Sequence, residues 1–259
     1  MKKLVILLGF TIIFSAPSFA ATVSGGVSKV DLHNTNMVVD ASTKAPVGNA
    51  KVSLPKYNYS TYTDNNGMFN VGKIKGITIM SVEKDGYRPF SLTINDKMAA
   101  RPLVLGIQKS DVSDVVIESD MFHLGDDNFS EDSSGAGSFR LRSSGPFFSK
   151  TFTLNRDVLA SKNYLVIGSI IGIDTLMARS MGQNRIVNSY ASPPEIYFNG
   201  SKIAEIQLNG DNQKIKIPNN LIRPDQLNEV TIKAGRNLMQ TAYVDYDDIE
   251  IANLSIVSE

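Results

Sequence analysis

Short alternating segments separated by turn dipeptides run through almost the whole chain, and this pattern is incompatible with a mainly helical fold. From residue 24 onward, no segment keeps apolar residues at helical spacing over three turns. Four dipeptides that accept the positive φ angles of tight hairpins are Asn66-Gly67, Asp85-Gly86, Asn199-Gly200 and Asn209-Gly210. The stretch QKIKI at 213–217 alternates isoleucine with lysine, as a half-buried strand does. We therefore predict an all-β protein with helical turns only at 110–115 and 157–161.

The first 20 residues have the features of a signal peptide. Lys2 and Lys3 precede an apolar run at 4–14, and Ser18 and Ala20 suit the −3 and −1 positions of a cleavage site. The apolar run is shorter than the ~20 residues that a helix needs to span a bilayer. We therefore expect a mature chain from about Ala21, periplasmic or secreted, with no transmembrane segment after cleavage.

Composition excludes several functional classes. Among the 259 residues there is no cysteine, which excludes disulfide scaffolds, thiolate zinc sites and thiol nucleophiles. The 26 basic and 26 acidic side chains balance, so no electrostatic signal for nucleic acid is present. Neither His33 nor His123 accompanies a G-x-S-x-G nucleophile motif. No glycosidase signature accompanies the carboxylates, and we expect a protein that is not an enzyme.

The spacing of turns changes near residues 100–115. Turn signals recur about every 8–12 residues over 24–105, as in small sandwiches. After residue 120 the connecting segments lengthen, notably at 130–138 and 178–194. We predict a boundary near 110, with a signal peptide at 1–20, a first domain at 22–109 and a second at 115–259.

The first domain carries a recognisable series of motifs. These are Gly25-Gly26-Val27, the segment 43–52 (TKAPVGNAKV), the segment 63–69 (TDNNGMF) and Asp85-Gly86-Tyr87. The series resembles the carboxypeptidase regulatory-like family, with a longer insert around 33–40. The resemblance implies a small seven-stranded transthyretin-like, or immunoglobulin-like, sandwich that serves as a spacer or accessory module.

The second domain has a different likeness. The segments 115–129, 194–235 and 243–256 are similar to the opening strand, central hairpins and acidic closing strand of a galactose-binding-like jelly roll of the carbohydrate-binding-module type. This resemblance implies a larger β-sandwich that binds a glycan or polysaccharide. The chain has no tryptophan, the commonest stacking residue in such modules, and this weighs against sugar binding.

The long loop at 179–194 offers candidate sugar ligands. Its length exceeds what a connection between strands requires. The loop contains polar side chains that can bind sugar hydroxyl groups and one ring that can stack on a sugar face. These candidate ligands are Arg179, Asn184, Arg185, Asn188 and Tyr190. The alternative is that this loop is a disordered or packing insert.

Acidic side chains cluster at 126–127 and at 245–248. Because the first and last strands of a jelly roll lie close together, the two clusters are expected to meet, and carboxylate oxygens suit calcium. The resemblance to carbohydrate-binding modules also implies a structural Ca²⁺ in this region. The candidate metal ligands are Glu118, Asp126, Asp127, Asp247 and Asp248. The alternative is that these are solvated loop carboxylates and strand caps.

Two functions remain open from the sequence. The first is an exported, non-catalytic carbohydrate-binding protein whose second domain binds the glycan. The second is a structural, adhesion or assembly subunit of the cell envelope that binds a protein partner, for example by strand addition at a sheet edge.

Overall fold

A computed structural model describes residues 36–187 and 190–259. The expected signal peptide at 1–20, the motif at Gly25-Gly26-Val27 and the first three residues of the insert predicted around 33–40 lie outside the described residues. The strands are β1 (Asn36–Asp40), β2 (Lys51–Leu54), β3 (Tyr59–Tyr62), β4 (Met68–Phe69), β5 (Thr78–Glu83), β6 (Phe90–Ile94), β7 (Val104–Ile107), β8 (Val115–Glu118), β9 (Phe122–Leu124), β10 (Phe147–Thr153), β11 (Asn163–Ile171), β12 (Glu195–Phe198), β13 (Ser201–Glu205), β14 (Gly210–Ile217), β15 (Leu227–Lys233) and β16 (Ile249–Ser258). The prediction of an all-β protein is confirmed.

The first seven strands form two sheets that face each other. One has the order β4-β1-β7, with β1 and β7 parallel, and the other has the order β3-β2-β5-β6. Alternating side chains of these strands fill the space between the sheets, including Val38, Val52, Met80, Val82 and Ile107. Phe69 returns the chain to this core after the turn at Gly67, whose φ is 71°.

The remaining nine strands form a second pair of sheets. Strands β10-β15-β12-β13 make one sheet, and β14-β11-β16-β8 make the other, with β9 also paired to β16. Their shared core is rich in isoleucine and leucine, with Leu165, Ile167, Ile196, Ile232 and Leu254 fully buried. Such aliphatic packing between two sheets supplies most of the stabilisation that a chain without disulfides requires.

Strand β16 is buried along its whole length, although it carries the polar residues Glu250, Asn253, Ser255 and Ser258. One face packs into the second core, and the other face contacts β5 and β6. A small apolar cluster of Ile79, Phe139, Ile171 and Ala252 joins the two sets of strands there. The described residues cluster as one compact unit, and the boundary near residue 110 stays a prediction.

Helical structure in the described residues is limited to short turns. The turn expected at 157–161 is present as a 3-10 helix at Arg156–Ala160. The segment 110–115 contains a single hydrogen-bonded turn, in which the amide of Asp114 donates to the carbonyl of Asp111 (3.1 Å). Two short helices, α1 (Asp96–Ala99) and α2 (Leu176–Ser180), begin after Asn95 and Thr175, whose side chains accept hydrogen bonds from backbone amides. None of the described helices has the length and apolarity needed to cross a membrane.

Two of the four predicted hairpins are wrong. Asn199-Gly200 joins the paired strands β12 and β13, and Asp85-Gly86 lies between the paired strands β5 and β6. Asn66-Gly67 and Asn209-Gly210 instead connect strands that belong to different sheets. A turn dipeptide reverses the chain locally, but it does not determine which strand the next segment pairs with.

A substitution at Gly168 tests how closely the two sets of strands pack against each other. A Cβ at this position would lie 2.7 Å from the Cβ of Asn253 and would overlap the hydroxyl of Ser91. We expect Gly168→Ala to lower the free energy of unfolding by about 1–3 kcal/mol, as overpacking does. Denaturant unfolding measures this effect. Gly72→Ala is the control, because nothing lies within 4 Å of a Cβ there, and an equal effect of the two substitutions would contradict the packing account.

Candidate acidic pocket

The pairing of β9 with β16 brings the two acidic segments together. Leu124 pairs with Ile249, so the residues that follow β9 lie beside those that precede β16. The amide of Asp127 donates to Oδ1 of Asp248 (2.9 Å), and the amide of Tyr246 donates to Oδ2 of Asp126 (3.0 Å). The expected meeting of 126–127 with 245–248 is therefore present in the structure.

Gly125 permits this close approach. Its φ of 141° is accessible to glycine and strained for other residues. A Cβ at this position would lie 2.5 Å from Cγ of Asp248. The glycine therefore lets the backbone lie directly against the carboxylate.

Asp248 is part of a buried ion-pair network. Its Oδ1 lies 2.6 Å from Nε2 of His123, and Nδ1 of the same ring lies 3.6 Å from Oε1 of Glu250. Burial lowers the pKa of His123, but the hydrogen bonds and charges of Asp248 and Glu250 outweigh burial and raise it to about 9. His123 is thus a cation shared by two carboxylates, and Oδ2 of Asp248 has no hydrogen-bond partner.

Two further carboxyl groups, Asp174 and Asp247, are buried next to each other. Asp174 follows β11, and its amide donates to Oδ2 of Asp247 at 3.1 Å. Burial raises the pKa of both groups, and the charge of Asp174 raises that of Asp247 further. No cation is paired with either carboxyl group among the described residues, so their ionisation opposes folding.

Asp245 is held between two amide side chains. Nδ2 of Asn128 donates to its Oδ1 (2.9 Å), and Nδ2 of Asn237 donates to its Oδ2 (2.8 Å). The carboxylate is thereby fixed by the loop after β9 and by the segment before β16. It stays half-exposed and available to a ligand.

These carboxyl groups line one cavity of about 330 Å³. Its other walls carry aromatic, amide and small side chains. The lining residues are Asn128, Phe129, Ser130, Ser133, Asp174, Ile186, Ala191, Asn237, Asp245, Tyr246, Asp247 and Asp248. We call this cavity the acidic pocket. Phe129 is 42% exposed and is steadied by Phe139, whose ring meets it edge-on at 4.9 Å.

Asn209 connects three segments behind the pocket. Its Oδ1 accepts the amide of Ile173 (2.8 Å), and its Nδ2 donates to Oγ of Ser134 (2.7 Å) and to Oε1 of Gln183 (3.1 Å). The loops that carry Ser133, Asp174 and Ile186 are therefore fixed to one side chain. This role is not evident from the Asn-Gly dipeptide, which signals only a turn.

None of the predicted sugar ligands that the structure describes is a lining residue of the pocket. The guanidinium of Arg179 donates to the hydroxyl of Tyr190 (3.1 Å) and lies over its ring. Asn184 is buried beside Asp174, and Arg185 is exposed. Asn188 lies outside the described residues. The loop nevertheless contributes Ile186 and Ala191 to the pocket wall.

The predicted metal ligands separate into two places. Asp126, Asp127, Asp247 and Asp248 meet around the acidic pocket. Glu118 instead pairs with Lys150 at 2.8 Å at the end of β8. Asp174 and Phe129 also line the pocket, and neither was predicted from the sequence.

Comparisons with known proteins give little further guidance. No protein-family model matches the chain, and no curated protein matches it. Among solved structures, the chain is similar to a "putative carbohydrate binding protein" from Bacteroides uniformis, with 10% identity over 87% of this chain and 97% of that one. The TM-score is 0.23, and at that value the likeness carries no argument about function.

Asp247 is expected to lower the stability of the protein at neutral pH. Because the pKa of its carboxyl group is higher in the folded than in the unfolded chain, stability falls as pH rises from about 4 through the folded-state value. An asparagine in its place would keep the shape and the acceptor for the Asp174 amide without the charge. We expect Asp247→Asn to raise the melting temperature by about 2–4 °C at pH 7, the response to about 1 kcal/mol in a chain of this size.

Thermal melts from pH 4 to pH 8 measure this effect. The difference between the Asp247→Asn variant and the unaltered protein should shrink toward pH 4, where the unaltered carboxyl group is protonated. A variant that melts lower at pH 7 would contradict the account.

Proposed function

We propose that the acidic pocket binds a carbohydrate without catalysis. The observation that carries this proposal is the joint lining of one cavity by aromatic rings and by fixed hydrogen-bonding groups. Sugars are bound when their C–H faces stack on exposed rings and their hydroxyl groups meet carboxylates and amides. Phe129 and Tyr246 supply the rings, and Asp245 with its two asparagines supplies the polar groups.

The size of the pocket suits a small part of a glycan. Ligand pockets commonly measure about 300–1,000 Å³, and this cavity of about 330 Å³ is at the small end of that range. One sugar ring, at a chain end or a branch, is the expected occupant. Its hydroxyl groups would replace the water that the half-exposed Asp245 otherwise contacts.

A second candidate function rests on exposed apolar side chains in the neighbouring loops. These side chains are 49–68% exposed and belong to Leu176, Met177, Met181, Val187, Leu238, Met239, Tyr243 and Val244. The two loops lie side by side, since the amide of Leu238 donates to the carbonyl of Tyr190 at 2.7 Å. Exposed apolar groups of this kind favour contact with a protein, such as a partner in the cell envelope.

Retention on polysaccharide gels tests the carbohydrate function. We expect saturable retention by at least one glycan, reduced about tenfold or more by Phe129→Ala because the stacking face is lost. Phe147→Ala is the control, since Phe147 is 60% exposed on β10 and is not a lining residue of the pocket. The bound oligosaccharide should be recovered intact, as a binding protein without catalysis requires. If the protein instead bound only to a protein of the cell envelope, that result would support the second candidate function.

Calcium stays a prediction of the sequence, and the structure offers a place to examine it. Ligand atoms of His123, Asp127 and Asp248 lie within 4.8 Å of one another, and Oδ2 of Asp248 has no hydrogen-bond partner. Calcium prefers six to eight oxygen ligands, whereas His123 already bonds to Asp248 in this trio. The carboxylate oxygens of Asp127 and Asp248 are of the ligand type that calcium prefers, and the imidazole nitrogen is not.

Thermal melting with added CaCl₂ measures calcium binding. A ligand at about 100 times its dissociation constant adds about 2.7 kcal/mol of stability, so we expect a higher midpoint that EDTA reverses. Mg²⁺ at the same concentration controls for ionic strength. An unchanged melting midpoint in millimolar calcium would contradict the prediction that the protein binds calcium.

A further inference from the structure

The acidic pocket has an unusual balance of charge. Four of its lining residues are aspartates, and no lysine, arginine or histidine lines it within residues 36–187 and 190–259. Neutral sugar hydroxyl groups both donate and accept hydrogen bonds, whereas an ionised carboxylate only accepts them. A pocket that offers mainly acceptors and negative charge is complementary to a ligand that carries donors and positive charge.

The carboxyl groups of the pocket are oriented by their neighbours, and among those that the structure describes only Asp248 is paired with a cation. Asp245 receives two side-chain amides, and Asp247 receives a backbone amide. The cation paired with Asp248 is His123, which Asp248 shares with Glu250. The side chain of Asp248 is fully buried, and yet its Oδ2 has no hydrogen-bond partner. A buried carboxylate oxygen without a partner indicates that a ligand donor belongs there.

The aromatic rings that line the pocket also favour a positively charged ligand. A cation over the face of a phenylalanine or tyrosine ring is attracted by the electron density of the ring. Phe129 and Tyr246 therefore add to the attraction that the carboxylates exert on a positive group.

We propose that the acidic pocket binds an amino sugar through its unsubstituted, protonated amino group. This inference rests on the proposed carbohydrate function and names the class of sugar. An ammonium group supplies three hydrogen-bond donors and one positive charge to the carboxylates. N-acetylation removes the charge, and a uronic acid brings a negative charge that the Asp245 carboxylate repels.

Binding to oligosaccharides of matched length tests the proposal. Calorimetry at pH 6 with EDTA compares a tetramer of glucosamine with its N-acetylated form, a neutral glucose tetramer and a galacturonic acid tetramer. We expect the glucosamine tetramer to bind at least tenfold tighter than the N-acetylated and neutral tetramers, and the galacturonic acid tetramer not to bind. Asp245→Asn should weaken the glucosamine tetramer about tenfold.

A matched variant separates the pocket from general attraction to a polycation. Asp85→Asn removes one negative charge from an exposed turn of the first sheet pair, far along the chain from the pocket residues. Its affinity for the glucosamine tetramer should equal that of the unaltered protein. Equal losses in the two variants would overturn the proposal, and melting temperatures check that both variants fold.

The other outcomes are also distinguishable. Tighter binding of the neutral or N-acetylated tetramer would overturn the amino-sugar assignment and leave the carbohydrate function standing. Binding of a tetralysine peptide as tight as that of the glucosamine tetramer would show that the pocket accepts any amine, and would overturn the sugar class. No binding of any oligosaccharide or gel would overturn both proposals.

Discussion

The burial of β16 on both faces is the constraint from which the arrangement of the acidic pocket follows. This strand pairs with β11 on one side and with β8 and β9 on the other, while its outer face is covered by β5 and β6. It cannot slip in register without exposing the isoleucines and leucines of the second core. Asp247 and Asp248 directly precede it and are therefore fixed beside the loop after β9.

The carboxylates that this strand positions oppose folding. Asp174 and Asp247 are buried with raised pKa values, and Asp248 leaves one buried oxygen without a partner. The aliphatic core of the two sheets supplies the stability that offsets them. Groups that lower stability in this way persist where they serve a function, and a cationic ligand would relieve their repulsion.

The sequence was sufficient to predict the fold class and part of the site. Period-two alternation and glycine turns are local signals, and they correctly predicted an all-β chain. The meeting of 126–127 with 245–248 followed from the proximity of first and last strands. Asp174 could not be found in this way, because its place depends on the order of strands in a sheet. Composition indicates the polar residues of the 179–194 loop as candidate ligands, but it does not reveal that Arg179 binds Tyr190.

A crystal structure of the protein with a saturating glucosamine oligosaccharide tests the central claim most directly, because it shows where the amino group binds. The account predicts one sugar ring between Phe129 and Asp245, with its nitrogen within hydrogen-bond distance of the pocket carboxylates. A sugar bound to another face of the molecule, with the acidic pocket filled only by water, would contradict it.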